Sequence, residues 1–353
     1  MNTNTRNWIT NETFEVTDTG SGKNAQYCYD PTTDLIYFGS TEDPENLGKE
    51  KSRIRHVWST TVHTQSDRKC LTCELDGETY GVENQCRYIN PSFSSDCKAV
   101  IIDCQGTGNL PPATVAGAVE NGELKNVVVL ESNEATKKQL ADDFYYRDRQ
   151  YGSIKLDGDD RDFHYSLYYP PNFDPTKKYP LLLEVYAGPA FSFVQDYYSH
   201  RWDFEWISSS YDVIVANFDP RGSGFRGNDI MHANYKNLGN YETLDQIEFA
   251  DKISEQHDFI DEENMMVWGR SYGGYNTAKI MGRDSKPVFK CGMIVSAVTD
   301  WRYYHTIYTE RYLQTPELNP EGYISSTAMR EDAVENYKKH DKIYFLHGTA
   351  QLG

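Results

Sequence analysis

Apolar and polar positions alternate with different periods in the two halves of the chain. Up to about residue 147 the apolar positions fall in short runs at 35–38, 54–62, 99–103 and 127–130. These runs are β-branched or aromatic, and Gly, Asp, Asn and Pro separate them, which predicts strands joined by turns. The first stretch with a helical period is 135–143. Short strands at such spacing suit a sandwich or the blades of a propeller. No clean sequence repeat is present, so spacing alone does not choose between them.

From about residue 150 the pattern changes. Residues 163–169 read as a strand ended by Pro170-Pro171, and 180–186 and 213–218 are continuous apolar strands. Residues 242–254 form an amphipathic helix, with Leu244, Ile247, Ala250 and Ile253 on one face. Residues 265–268, 292–298 and 342–346 are further buried strands, and 275–281 reads as a helix. Buried strands alternating with helices imply a mostly parallel, doubly wound sheet covered on both sides. The expected division is an all-β segment at 1–147 and an α/β domain at 148–353.

Composition narrows the partners. The chain has 353 residues and a formal net charge of -18, from 35 basic and 53 acidic side chains. Such a surface repels phosphate backbones, so nucleic acid is not an expected partner. The longest apolar runs are strand-sized, too short to span a bilayer. Residues 1–8 are polar and lack the apolar centre of a signal peptide. Read literally, the chain carries no export signal, so it is either intracellular or a piece of something longer.

The cysteines favour the second alternative. Five of seven lie close together: Cys70, Cys73, Cys86, Cys97 and Cys104. Cys70-Leu71-Thr72-Cys73 fits half a zinc site or a tight disulfide. A zinc site needs a second pair at similar spacing, which Cys86 and Cys97 do not supply. Disulfides in an oxidising compartment fit better, with plain buried thiols as the alternative. Asn11-Glu12-Thr13 is a glycosylation sequon, whereas Pro91 spoils the one at Asn90. No metal and no cofactor are assigned.

The chemistry lies at Gly269-Arg270-Ser271-Tyr272-Gly273. A Gly-x-Ser-x-Gly is common by itself, but here a buried strand runs into it and a helix follows, as a nucleophile elbow requires. The alternative is a glycine-rich turn with a capping serine. A serine hydroxyl needs a histidine base, and the base needs a carboxylate. On this fold the order is Ser, acid, His. The acids after Ser271 include Asp284, Asp300, Asp332 and Asp341, and the histidines are His305, His340 and His347. None is convincingly placed. His347 is followed by Gly348, where an acid-bearing loop should begin.

From residue 165 to residue 350 the sequence resembles the dipeptidyl peptidase IV group of the prolyl oligopeptidase family, which are serine peptidases. The matching stretches include Tyr168-Tyr169-Pro170-Pro171-Asn172-Phe173-Asp174, Val185-Tyr186-Ala187-Gly188-Pro189 and Asp219-Pro220-Arg221-Gly222-Ser223-Gly224-Phe225. Trp268-Gly269-Arg270-Ser271-Tyr272-Gly273-Gly274-Tyr275, Tyr308-Thr309-Glu310-Arg311-Tyr312 and His347-Gly348-Thr349-Ala350 continue the match. The resemblance implies an α/β hydrolase, incomplete at its C-terminal side, preceded by the last blades of a β-propeller. It implies Ser271 as nucleophile, with Tyr186 and the backbone N–H of Tyr272 as the oxyanion hole. Val298, Trp301, Tyr304 and Tyr308 would line a flat pocket for a proline ring. Read without the resemblance, these four are aromatic core. The resemblance further implies Cys70–Cys73 and Cys86–Cys104 disulfides, with Cys291 left over. It suggests an extracellular, membrane-anchored or secreted setting, and homodimers among full-length relatives.

Two departures matter. Arg270 stands where the group usually has Trp, and Gln351 stands where the family continues with the catalytic Asp, followed by a substrate-contacting Asn and the catalytic His. The paired glutamates that grip a substrate's amino terminus are also missing. The expectation is a truncated serine exopeptidase of the post-proline dipeptidyl type, acting by family on peptides with penultimate proline. The chain by itself is expected to be inactive, and chaperone-bound or aggregated. The rival is a non-catalytic homologue that binds partners. A lipase or esterase on the same fold does not fit the Tyr-rich pocket.

Overall fold

A computed structural model describes residues 28–42, 52–61, 68–108, 110–143, 149–199, 201–283 and 287–348. The sequon at Asn11 and residues 349–353 lie outside them. The chain divides into two units. One runs to Tyr146 and takes in Gln195–His200 and Phe225–Asn228; the other holds Arg147–Val194, Arg201–Gly224 and the chain from Asp229.

In the first unit, eight strands form two four-stranded antiparallel meanders, the form of a propeller blade. The first contains β1 (Cys28–Asp30), β2 (Leu35–Ser40), β3 (His56–Thr61) and β4 (Lys69–Cys70). The second contains β5 (Ile89–Phe93), β6 (Ala99–Cys104), β7 (Ala113–Glu120) and β8 (Glu123–Glu131). Strand β6 alternates exposed and buried residues along its length, the period-2 pattern of a half-buried strand. The β7–β8 hairpin turns on Asn121-Gly122, both at positive φ (51° and 79°), as a two-residue turn favours. Tyr37, Val57, Ile89, Val100, Ile102 and Val115 share one core. Helix α1 (Glu134–Asp143) follows and buries none of its residues.

The second unit is built on a seven-stranded sheet of order β15-β14-β13-β11-β12-β10-β9. Its strands are β9 (Gln150–Lys155), β10 (Asp162–Tyr168), β11 (Tyr179–Glu184), β12 (Ile214–Phe218), β13 (Ile260–Arg270), β14 (Cys291–Val295) and β15 (Lys342–Leu346). The four pairings from β15 across to β12 are parallel, and the β12–β10 and β10–β9 pairings are antiparallel. All five residues of β12 are buried, which is why that segment reads as an unbroken apolar run.

The helices are α2 (Trp202–Tyr211), α3 (Asn228–Met231), α4 (Tyr241–Gln256), α5 (Tyr272–Arg283), α6 (Thr306–Leu313), α7 (Pro320–Ser326) and α8 (Glu331–Tyr337). Helix α4 corrects the expected apolar face. Leu244 is exposed, and the buried side chains are Glu242, Thr243, Asp245, Gln246, Phe249, Ala250 and Ile253. The polar members are tolerated inside because they have partners. Arg221, in the loop after β12, grips Asp245 through its guanidinium and its backbone N–H, the latter at 2.9 Å. Strand β13 is longer than the apolar run 265–268 because its first half is polar.

Candidate active site

Strand β13 and helix α5 meet at Ser271 with no intervening loop. The turn is possible only because three glycines flank it. A Cβ on Gly269 would lie 2.5 Å from the carbonyl oxygens of Gly273 and Val185. One on Gly273 would lie 2.1 Å from the Val185 oxygen, and one on Gly274 2.5 Å from the Val295 oxygen. The backbones of β11, β14 and the turn therefore touch where any side chain would intrude.

Ser271 itself has φ of 61°, in the left-handed region that a non-glycine residue enters at a cost of about 1–3 kcal/mol. Its backbone holds that conformation through N–H donation to Val295 O at 3.0 Å and acceptance from Tyr275 N at 3.0 Å. The residue is exposed, and its hydroxyl has no hydrogen-bond partner among the described residues.

Helix α5 buries eleven of its twelve residues despite Gly273 and Gly274, which are poor helix formers. Packing holds it instead. Tyr275 Oη donates to Ser326 O at 2.6 Å, and Thr243 Oγ1 donates to Asn276 Oδ1 at 3.0 Å. Tyr272 opens the helix, so its N–H has no acceptor one turn earlier.

Around the elbow lies an aromatic cluster. Trp301 is 2% exposed and stacks on Tyr308, with centroids 5.6 Å apart and planes 15° off parallel. It meets Tyr304 edge-on at 5.6 Å and Tyr272 at 5.5 Å. Val298 and Tyr186 pack against the same cluster, half-buried. Tyr186 follows β11 by two residues, and its Cα would be 3.1 Å from a Cβ on Gly273. Its ring packs on Phe191 at 4.6 Å, and burial pushes its phenol above the usual range. The structure thus brings Ser271, Tyr186, Tyr272, Val298, Trp301, Tyr304 and Tyr308 to one end of the sheet.

The histidines are engaged elsewhere. His340 is buried, and its two ring nitrogens face Phe289 O at 2.8 Å and Met281 O at 2.9 Å. His305 caps α6 by accepting from Tyr308 N at 3.2 Å. His347 follows β15 with its nitrogens toward Gly348 O and Ala297 O, at 3.0 and 3.2 Å. Arg270 is exposed.

One residue of this site was read only as part of an amphipathic helix. Glu242 is fully buried. Its carboxylate accepts from Tyr272 Oη at 2.7 Å, Gly239 N at 2.6 Å and Asn240 N at 3.1 Å. Burial pushes its carboxyl up to about 7, against those hydrogen bonds. A Glu two residues after an Asn, before a helical run, was the only available signal.

In the first unit the structure joins Cys70 to Cys73, Cys86 to Cys104 and Cys28 to Cys97; Cys291 keeps a free thiol. The last of these pairs was not read from the sequence. His56 brings a ring nitrogen within 4.8 Å of both sulfurs of the Cys70–Cys73 bridge. Among the described residues no helix is long and apolar enough to cross a membrane.

A serine raised on a strand-to-helix turn at the carboxyl edge of a parallel sheet is the arrangement of a nucleophile elbow on the α/β-hydrolase fold. Residues 198–350 match the model of the prolyl oligopeptidase family, and residues 1–111 match that of the dipeptidyl peptidase IV N-terminal region. The chain belongs to the prolyl oligopeptidase family of serine peptidases, in its dipeptidyl peptidase IV group. Dipeptidyl peptidase 4 of Sus scrofa is 39% identical over 321 residues, 90% of this chain and 39% of that protein. Prolyl endopeptidase FAP of Mus musculus is 34% identical over 337 residues, 94% of this chain and 41% of that protein. The crystal structure of Porphyromonas gingivalis dipeptidyl peptidase 4 superposes with a TM-score of 0.79 at 26% identity, covering 97% of this chain and 43% of that one. The chain therefore spans about two fifths of the length of the relatives it matches.

Proposed function

We propose that this chain carries the nucleophile, oxyanion hole and proline pocket of a serine exopeptidase that releases N-terminal dipeptides after a penultimate proline. The observation that carries the reading is the aromatic cluster of Trp301, Tyr304 and Tyr308 beside a serine at positive φ. A flat, rigid, apolar wall suits a proline ring, and the strained serine presents its hydroxyl to the next carbonyl. Ser271 Oγ attacks that carbonyl carbon, and negative charge develops on the oxygen. Tyr186 Oη and Tyr272 N–H donate to it. Because burial raises the Tyr186 phenol, it stays protonated and a donor at neutral pH.

The proton of Ser271 must pass to a base, and His305, His340 and His347 all hydrogen-bond elsewhere. We place the base outside the described residues, in the part of the family's sequence that follows residue 350, and propose that the polypeptide 1–353 taken alone is inactive. That same observation favours the second reading, a homologue that binds partners without turnover. Three disulfides suit an oxidising compartment, hence the cell exterior or the outer face of a membrane. Strand β15 is the edge of the described sheet, with Tyr344, Phe345 and Leu346 about half exposed. Taken alone, 1–353 is expected to associate or to bind chaperones through that edge. Homodimers are proposed for the whole protein by family.

The test is a fusion of the corresponding tail of a dipeptidyl peptidase 4 after Ala350, with that relative's upstream blades restored. It should cleave Gly-Pro-aminocoumarin, and Tyr186→Phe should lower kcat about a hundredfold or more, since one oxyanion donor is worth roughly 3 kcal/mol. An unchanged kcat removes Tyr186 from the mechanism.

A further inference from the structure

Far along α5 from Ser271, a cavity of about 180 Å³ opens between the end of that helix, the start of α8 and the segment joining α7 to α8. Its walls include Lys279, Arg283, Arg330 and Asp332. Three of these four side chains are cations, in a chain whose net charge is -18.

The charges do not cancel. Asp332 is the one acid on the wall, and Arg330 occupies it through Nε at 2.9 Å. Lys279 is 4% exposed, and its amine donates to two neutral carbonyls, Ser325 O at 2.6 Å and Thr327 O at 3.2 Å. Arg283 is half-buried and donates to the neutral Asn240 Oδ1 at 2.9 Å. Among the described residues neither has a carboxylate within ion-pair distance. Glu242, on α4, is the other acid that acts on both, from farther off and wholly buried. Burial, together with Arg283 and Arg330, pulls the Lys279 amine down to about 7, as expected of positive charge crowded without a counter-ion.

Cations near the last turn of a helix are also favoured by its dipole, which accounts for Arg283 at the end of α5. It does not account for Arg330, which arrives from the segment before α8, nor for a hollow between the three. An anion in that hollow would meet two guanidinium groups and the Lys279 amine, whose protonated form it would favour, the donor set that recognises tetrahedral oxyanions.

We propose that this cavity binds a phosphate-type oxyanion, either the free ion or the phosphate group of a small ligand. The site lies about 15 Å from Ser271 by the rise of α5, and nothing in it overlaps the aromatic cluster. It is independent of the peptidase reading.

The experiment is equilibrium dialysis of the fusion described above, which covers the β15 edge, against labelled inorganic phosphate in about 0.1 M sodium chloride, where diffuse surface binding is screened. The expected result is one saturable phosphate per chain. Arg330→Ser, at an exposed N-cap position whose extended backbone serine suits, should weaken it about tenfold, one charge-assisted contact being worth about that factor. Lys279→Met should weaken it further. Competition by O-phosphoserine at similar concentration assigns the site to a phosphate group on a ligand; competition by inorganic phosphate alone assigns it to the free ion. Absence of saturable binding, or equal binding by the wild type and Arg330→Ser, overturns the proposal.

Discussion

The carboxylate of Glu242 accepts a hydrogen bond from Tyr272 Oη at 2.7 Å, so that the first turn of α4 holds the ring of the residue after the nucleophile. The same carboxylate takes the N–H groups of Gly239 and Asn240, tying the entry of α4 to the entry of α5.

The burial of Glu242 makes stability depend on pH. Burial raises the folded-state carboxyl of Glu242 to about 7 from an ordinary 4.5. The folded chain thus holds the proton more tightly than the unfolded one. The stabilisation is fully present below pH 4.5 and is lost as pH rises through 7, by about 3 kcal/mol at most. Glu242→Gln should flatten that part of the profile. Urea unfolding from pH 4.5 to 8 measures it, and parallel profiles for the two proteins would rule Glu242 out as its source.

Gly273→Ala should be among the most damaging small substitutions. Its methyl would sit 2.1 Å from Val185 O, a backbone atom that cannot swing aside. The expected loss is about 3 kcal/mol, the upper part of the usual range for overpacking. Denaturant midpoints of the variant and the parent decide it. A loss below about 1 kcal/mol would mean that the turn has more room than the contacts show.

Removing the disulfides one at a time should follow loop length. Cys28–Cys97 closes a separation of 69 residues, Cys86–Cys104 one of 18 and Cys70–Cys73 one of 3. Chain entropy predicts losses of about 4, 3 and 2 kcal/mol for the three double-serine variants. Non-reducing peptide mapping should also find Cys291 as the free thiol. Free thiols at Cys70 or Cys86 in material made in an oxidising compartment would contradict the pairing.

The polypeptide 1–353 should not turn over Gly-Pro-aminocoumarin, and Ser271 should not react with a fluorophosphonate probe. Loss of triad members costs on the order of a millionfold in kcat. Turnover abolished by Ser271→Ala would overturn this. It would require His305, His340 or His347 to leave its present partner and act as the base.

Much of this was legible in the sequence because it rests on local rules. The apolar runs at 180–186 and 213–218 became β11 and β12, since a strand buried on both faces has no polar positions to hide it, whereas the run at 342–346, expected to be buried, became β15 and lies largely exposed at the edge of the described sheet. The elbow was legible because the three glycines at Gly269, Gly273 and Gly274 answer a steric demand within a few residues of Ser271. What stayed illegible depends on partners far along the chain. Leu244 looked like core and is exposed, while Asp245 and Glu242 looked like surface and are buried. Their burial is permitted by Arg221 and Tyr272, 24 and 30 residues away. Cys28–Cys97 and the cation-lined hollow between α5 and α8 are likewise products of tertiary packing. Periodicity states which residues share a face. Only the folded chain decides whether that face meets oil, water or an opposite charge, because a buried polar group costs or stabilises according to the partner it finds there.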